Sequence, residues 1–248
     1  ELRNVTIRFR SYQKRPTTLK ESLLRLTKRD KEPSYSYFEA LKNISLSIPR
    51  GEVFGIIGGN GAGKSTMLRT IAGVLPPSSG EMIVNGKIDS LIQLGAGFDA
   101  ELNAIENIYL NRSLHGMSRA EIKERVPDII AFAELEEFAS TPIKYYSSGM
   151  AARLGFAVAI DRDPDILVVD EVLAVGDERF NNKCMKVFEE LLAKRRTIVM
   201  VSHNLEQIQQ WAKTAALLAK GKIFYLGDPE EAVARYRDPG YQEYCKAN

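Results

Sequence analysis

Cysteine is nearly absent: 248 residues hold two, Cys184 and Cys245, far apart and in no metal-binding or redox spacing. That leaves reduced thiols of a cytosolic protein as the reading. No apolar run approaches the ~20 residues that span a bilayer. Val53-Phe54-Gly55-Ile56-Ile57 and Ile166-Leu167-Val168-Val169 have the length of buried strands instead. No signal peptide is recognisable, and the first residue is Glu1 rather than Met. Any membrane role is therefore expected to come through a partner. Charge of one sign is missing too, since 34 Lys and Arg face 32 Asp and Glu. Net charge thus gives no case for nucleic-acid binding. Histidine is scarce, with only His115 and His203. There is no internal repeat, no low-complexity segment and no sustained heptad pattern.

What is present is an ordinary globular composition, 44% hydrophobic, at a length that suits one large α/β domain or one with a smaller subdomain. Strand and helix patterns alternate, which predicts a mainly parallel sheet with helices on both faces. Val5, Ile7 and Phe9 alternate with polar residues as a first strand, and Ile44–Ile48 alternates again before the turn Pro49-Arg50-Gly51. Between them, residues 14–36 form a basic, Tyr- and Ser-containing insert. Thr18-x-x-Glu21 is a capping-box pattern there, so a short helix is expected, with Leu19, Leu23 and Leu26 on one stripe. Seven basic residues of 14–31 oppose only Glu21 and Asp30, a face suited to solvent or to an anionic leaflet. Residues 100–160 differ in being helical, with patterns over Ile105–Leu114 and Ser118–Phe132, the second opened by Ser118-x-x-Glu121. Buried strands follow at 166–170 and 197–201, with a helix around 182–194 between them. A hairpin-like pair, 215–219 and 222–226, then precedes a helical tail over 229–248.

Three constellations carry chemistry. Gly58-Gly59-Asn60-Gly61-Ala62-Gly63-Lys64-Ser65, followed by Thr66, matches G-x-x-x-x-G-K-[ST] between a buried strand and a helix. Its glycines let backbone N–H groups turn toward phosphates, and the following helix points its positive end at the same charge. Lys64 is expected on the β- and γ-phosphates, and the Ser65 hydroxyl on Mg²⁺. Ile166–Val169 ends in Asp170-Glu171, of which Asp170 suits the Mg²⁺ shell and Glu171 suits orienting and deprotonating an attacking water. His203 follows the strand Thr197–Val201, and parallel strands deliver their C-terminal ends to one edge. His115, beside Gly116, reads as a helix-end residue.

Together these residues resemble the ATPase subunits of ABC transporters over essentially the whole chain. The discriminating segment is Tyr146-Ser147-Ser148-Gly149-Met150, placed where that family has Leu-Ser-Gly-Gly-Gln and leading into an apolar helix. The resemblance implies a P-loop α/β domain with a mixed sheet and flanking helices, an α-helical signature subdomain and an N-terminal β-rich part. It implies ATP and Mg²⁺ as cofactors. It also implies a head-to-tail dimer in which Ser147 and Gly149 reach the γ-phosphate held by the second copy. Gln93 fits the glutamine that joins Mg²⁺ and water to the membrane-partner contact, with an edge-strand residue as the other reading. Asp177 fits the loop that crosses the dimer. Phe9 fits the aromatic that stacks on adenine, with Tyr12 as the alternative and a core Phe as the other reading of Phe9.

The departures, Ser148 for Gly, Met150 for Gln and Ala174-Val175-Gly176-Asp177 in the crossing loop, resemble the branch that exports lipid-linked polysaccharides such as O-antigens, capsules and teichoic acids. Segments 94–98 and 106–109 agree with it. The implied partners are a polytopic permease in two copies and, through it, a lipid-linked glycan, at the cytoplasmic face of the membrane. An importer ATPase is the nearest alternative. Some members of that branch carry a further C-terminal carbohydrate-binding domain, and Asn248 falls shortly after the expected end of the cassette. Long coiled coils of chromosome-organising ATPases and the doubled motifs of translation factors are not found. Retention of Lys64, Asp170, Glu171 and His203 argues against a regulator without turnover.

Overall fold

The computed structural model describes residues 1–12, 35–91, 95, 97–161, 163–170, 177–202 and 204–246. Two sheets are built from them. In the smaller, β1 (Leu2–Tyr12) lies between β2 (Tyr35–Leu46) and β4 (Ser79–Met82), with both pairs antiparallel. The larger runs in the order β5 (Ile88–Ser90), β6 (Ile166–Asp170), β7 (Thr197–Val201), β3 (Val53–Gly58), β8 (Thr214–Ala219) and β9 (Lys222–Gly227). Every pair in it is parallel except β8–β9, joined at Lys220-Gly221. Both β3 and β7 are buried at every residue, as strands covered on both faces must be.

Alternation along these strands divides the interior into two cores. Phe54, Ile56, Val168, Val199, Val201, Ala216 and Leu218 face one side. There they pack with Val5, Ile7, Leu41 and Ile44 of the small sheet and with Met67 and Leu68 of α1 (Lys64–Ile71). Val53, Ile57, Leu167, Val169, Ile198, Met200 and Leu217 face the other. That side is covered by α5 (Glu178–Ala193), α6 (Leu205–Trp211), α7 (Pro229–Arg237) and α8 (Pro239–Lys246), through Phe180, Phe188, Ile208, Val233 and Tyr241. Cys184 sits in this core, where burial pushes its thiol up to about 12; it and Cys245 are both free.

A third core belongs to helices alone. The helices α2 (Ala104–Leu114), α3 (Arg119–Ala133) and α4 (Ser148–Ile160) close around Ala104, Ile108, Ile122, Ile129, Leu154 and Val158. Capping boxes open α2 at Asn103/Glu106 and α3 at Ser118/Glu121, each satisfying two amide groups that a helix start leaves free. Arg112 is fully buried here, its Nη2 donating to the Val158 carbonyl and lying 3.3 Å from Asp161. Arg125 donates to the Asp161 carbonyl at 3.0 Å. Two guanidinium groups thus meet the negative end of α4.

Two boundaries read from the sequence are corrected. The strand assigned to 44–48 begins at Tyr35, so the insert assigned to 14–36 ends sooner: Tyr35 and Ser36 already pair with Tyr12 and Ser11. Residues 35–39 of β2 are half-buried or exposed and lack the two-residue alternation that marks a half-buried strand. The helix read at 182–194 starts at Glu178, because the Asp177 side chain caps it by accepting from the Phe180 amide at 2.9 Å. The expected helix at 18–26 lies outside the described residues. Among the described residues, no helix is long and apolar enough to cross a membrane.

Candidate nucleotide-binding site

The loop from Gly58 to Ser65 leaves the buried C-terminal end of β3 and enters α1 directly. Gly58 has φ +154°, and a Cβ there would lie 2.5 Å from the Leu218 carbonyl oxygen. Gly63 has φ +106°, with a Cβ placed 2.9 Å from the Ala40 oxygen. Both positions exclude any side chain. The consequence shows at the helix start. The helices α2 to α7 each receive a side-chain cap, from Asn103, Ser118, Ser147, Asp177, Asn204 and Asp228 in turn. At α1 the N-cap is Gly63, with no side-chain bond and no acidic residue in the first turn. Its first amide groups and its positive dipole end are left facing a cleft, the arrangement that binds a phosphate.

That cleft holds about 380 Å³ and is lined by Asn60 to Thr66, Asp170, Val201, Ala40, Phe9 and Phe38, within the ~300–1,000 Å³ usual for small-ligand sites. Lys64 folds back over the loop, its Nζ donating to the Gly58 and Gly59 carbonyls at 2.8 and 3.1 Å. Burial lowers its pKa, and the Asp170 charge acts in the opposite direction. Asp170 ends β6, two strands from β3, and reaches the cleft from the far side of β7. The Ser65 hydroxyl and the Asp170 carboxylate are hard oxygen donors on one cleft, the donor set that suits Mg²⁺.

Phe9 is 42% exposed, which removes the reading of a core phenylalanine. It lies at the mouth with Phe38, its direct partner across β1 and β2. Sequence reasoning missed Phe38, which is 59% exposed, because its register with Phe9 depends on where β2 begins. Tyr12 pairs with Tyr35 farther out along β1. Glu171, Gln93 and His203 lie outside the described residues. Their flanks do not: Leu91 continues the edge by donating to the Val168 carbonyl at 2.8 Å, and Asn204 caps α6.

Ser147 is the N-cap of α4, its Oγ accepting from the Met150 amide at 3.2 Å, which leaves its proton available for an anion. A Cβ on Gly149 would meet nothing nearer than the Ser147 Oγ at 3.8 Å, so the helix start is open. Asp177 is tied to the same helix. Its carboxylate receives Arg153 at 2.6 Å and is held below the ordinary range by the Phe180 amide first and by Arg153 after it. Arg153, which the sequence reading did not single out, thus joins the start of α5 to α4. A second cleft, about 560 Å³, is lined by Glu134, Glu178, Arg179, Asn182, Lys183 and Lys186. Arg179 and Lys183 pair with Glu134 there, and no glycine is among its lining residues.

The two-sheet frame with its helical subdomain and glycine cradle defines an ATP-binding cassette. The ABC transporter family profile matches residues 41–174, and the chain belongs to that family. It is 44% identical, over 94% of its length, to the O-antigen export system ATP-binding protein RfbB of Myxococcus xanthus, of which it spans 54%. It is 40% identical, over 96% of its length, to the teichoic acids export ATP-binding protein TagH of Bacillus cereus, of which it spans 42%. The chain thus spans about half the length of these two relatives. Against TagH of Staphylococcus epidermidis it is 39% identical over 99% of its length and 88% of the relative's. Among solved structures, a dimeric ATP-binding cassette in a post-hydrolysis state with ADP and phosphate superposes with a TM-score of 0.70 at 25% identity, over 92% of this chain and 97% of that one.

Proposed function

We propose that the chain is the ATP-binding and hydrolysing subunit of an exporter that moves a lipid-linked polysaccharide across the cytoplasmic membrane. The observation that carries the nucleotide part is the uncapped start of α1, opening onto a cleft that also holds Lys64, Ser65 and Asp170. The export part rests on the names of the O-antigen and teichoic acid relatives.

In this reading the amide groups of Asn60 to Thr66 bind the phosphates, and Lys64 leaves the Gly58 and Gly59 carbonyls for the β- and γ-oxygens. Phe9 and Phe38 hold the base. Ser65 and Asp170, with Gln93, hold Mg²⁺, which neutralises charge on the phosphate oxygens when bound. Glu171 takes a proton from the attacking water and His203 faces the γ-phosphate. Ser147 and Gly149 act on the nucleotide of a second copy in a head-to-tail dimer, and Asp177 lies where the two copies cross. The permease, in two copies, supplies the membrane path and brings the subunit to the cytoplasmic face. The basic segment 14–31 faces that leaflet.

The test is Glu171→Gln. Steady-state hydrolysis is expected to fall roughly 10²–10⁴-fold, the contribution of a general base, with ATP binding kept and an ATP-bound dimer accumulating by light scattering. Hydrolysis close to the wild-type rate refutes the assignment of Glu171.

A further inference from the structure

The backbone of Gly59 is held from two directions. Its carbonyl accepts from the Lys64 ammonium at 3.1 Å and from the Ala62 amide at 3.2 Å. Its N–H points the other way, out of the cleft and into the protein, and donates to the Tyr241 hydroxyl at 3.0 Å. The same hydroxyl donates to the Leu218 carbonyl at 2.7 Å. Leu218 is the residue whose carbonyl oxygen lies against Gly58 so closely that no Cβ fits there. One phenol therefore ties the entry of the loop to β8, in a chain running from Gly59 N–H through Tyr241 to Leu218.

Tyr241 is itself fixed. It is 2% exposed on α8, with Phe224 at 5.3 Å edge-on and Tyr236 at 5.5 Å around its ring. Burial raises its pKa, so the hydroxyl stays protonated and keeps both bonds throughout the physiological range. The two holds on Gly59 differ in one respect. Lys64 has to give up its bonds to the loop carbonyls to reach a phosphate, whereas Tyr241 lies behind the loop and touches nothing that a nucleotide occupies.

We propose that Tyr241 is a positioning residue for nucleotide binding: its hydroxyl keeps the entry of the phosphate loop in its binding shape once Lys64 has left for the phosphates. Through it, α8, at the far end of the sequence, sets the affinity of the loop. The inference rests on the ATP-binding reading above.

The test compares the purified full chain with Tyr241→Phe and with Phe224→Leu. The first removes only the hydroxyl; the second loosens the packing around the ring and leaves the hydroxyl in place. Loss of a buried hydrogen-bond partner predicts that Tyr241→Phe raises the KM for ATP roughly 5–20-fold, while kcat changes far less. Phe224→Leu lowers the melting temperature and leaves KM at the wild-type value. KM unchanged in Tyr241→Phe, or raised equally in both variants, overturns the proposal. Should Tyr241→Phe not fold, hydrogen exchange of the wild type decides. The Gly59 amide is expected to be as slow as the core of α8 with and without ATP, and exchange at the rate of an open loop overturns the tether. A wild-type chain that binds no ATP refutes the nucleotide reading itself, a result distinct from either.

Discussion

Removing the two rings at the mouth of the cleft separates base recognition from phosphate recognition. Phe9 and Phe38 stand opposite each other on β1 and β2 and are 42% and 59% exposed. Rings so exposed bury little area in the free protein, so Phe9→Ala and Phe38→Ala are each expected to cost about 0.5 kcal/mol of stability. Stacking of a base on an aromatic ring is worth ~1–3 kcal/mol by alanine substitution, and half-open rings belong at the low end. About 1 kcal/mol each translates to roughly five-fold in Kd per ring and approaches 30-fold for the double variant. The loss is expected to be the same for ATP and GTP, since every base offers a π-face, and absent for tripolyphosphate, which has no base. Calorimetric titration of the three ligands into the four proteins makes the comparison. Parallel weakening of tripolyphosphate would show that the rings prop the loop rather than hold a base. Unchanged ATP affinity in Phe38→Ala would remove Phe38 from the site.

Two further outcomes follow from charges described above. Burial depresses the Lys64 pKa in the free chain, and a bound triphosphate raises it again, so binding takes up a proton. Affinity is therefore expected to be flat near neutrality and to fall as pH rises through the depressed value, below the ordinary ~10.4 of lysine; calorimetry at alkaline pH in buffers of different ionisation enthalpy detects the uptake, and no buffer dependence there refutes it. Arg112→Met leaves the Val158 carbonyl and Asp161 without their buried partner. It is expected to cost about 3 kcal/mol in urea unfolding, the low end for a broken buried pair, because Asp161 keeps Arg125; a loss under ~1 kcal/mol would mean that the buried guanidinium contributes little.

Residues whose role is set by their immediate neighbours were legible in the sequence. The loop at 58–65 declares itself because its glycines, its lysine and the strand before it are contiguous. The boxes at Asn103 and Ser118 depend on residues three apart, although only the second was read. Asp170 was legible because a run of apolar residues ends abruptly in a carboxylate. What escaped depends on register or on contacts from the far end of the chain. Phe38 meets Phe9 only through the β1–β2 pairing, and the exposed start of β2 carries no alternation to announce it. Tyr241 meets Gly59 from 182 residues away along the chain, and nothing in the sequence around either residue signals the other. Arg112 was not singled out, since the end of α4 that draws it fully inside lies 46 residues along the chain.

The strand order also has a consequence for synthesis. The neighbours of β3 on both sides are β7 and β8, which leave the ribosome long after it. At translation rates of ~5–20 residues per second, the roughly 150 residues between Gly58 and Thr214 take on the order of ten to thirty seconds. Until β7 is made an apolar strand has both hydrogen-bonding edges open, and until β8 is made it still has one, the condition under which chains stick to one another. Nucleotide offers no early rescue, since Asp170 and the Leu218 backing of the loop are themselves late arrivals. The nascent chain therefore depends on shielding from outside until β8 is made, and a stall placed anywhere between β3 and β8 is expected to be more damaging than one placed after it.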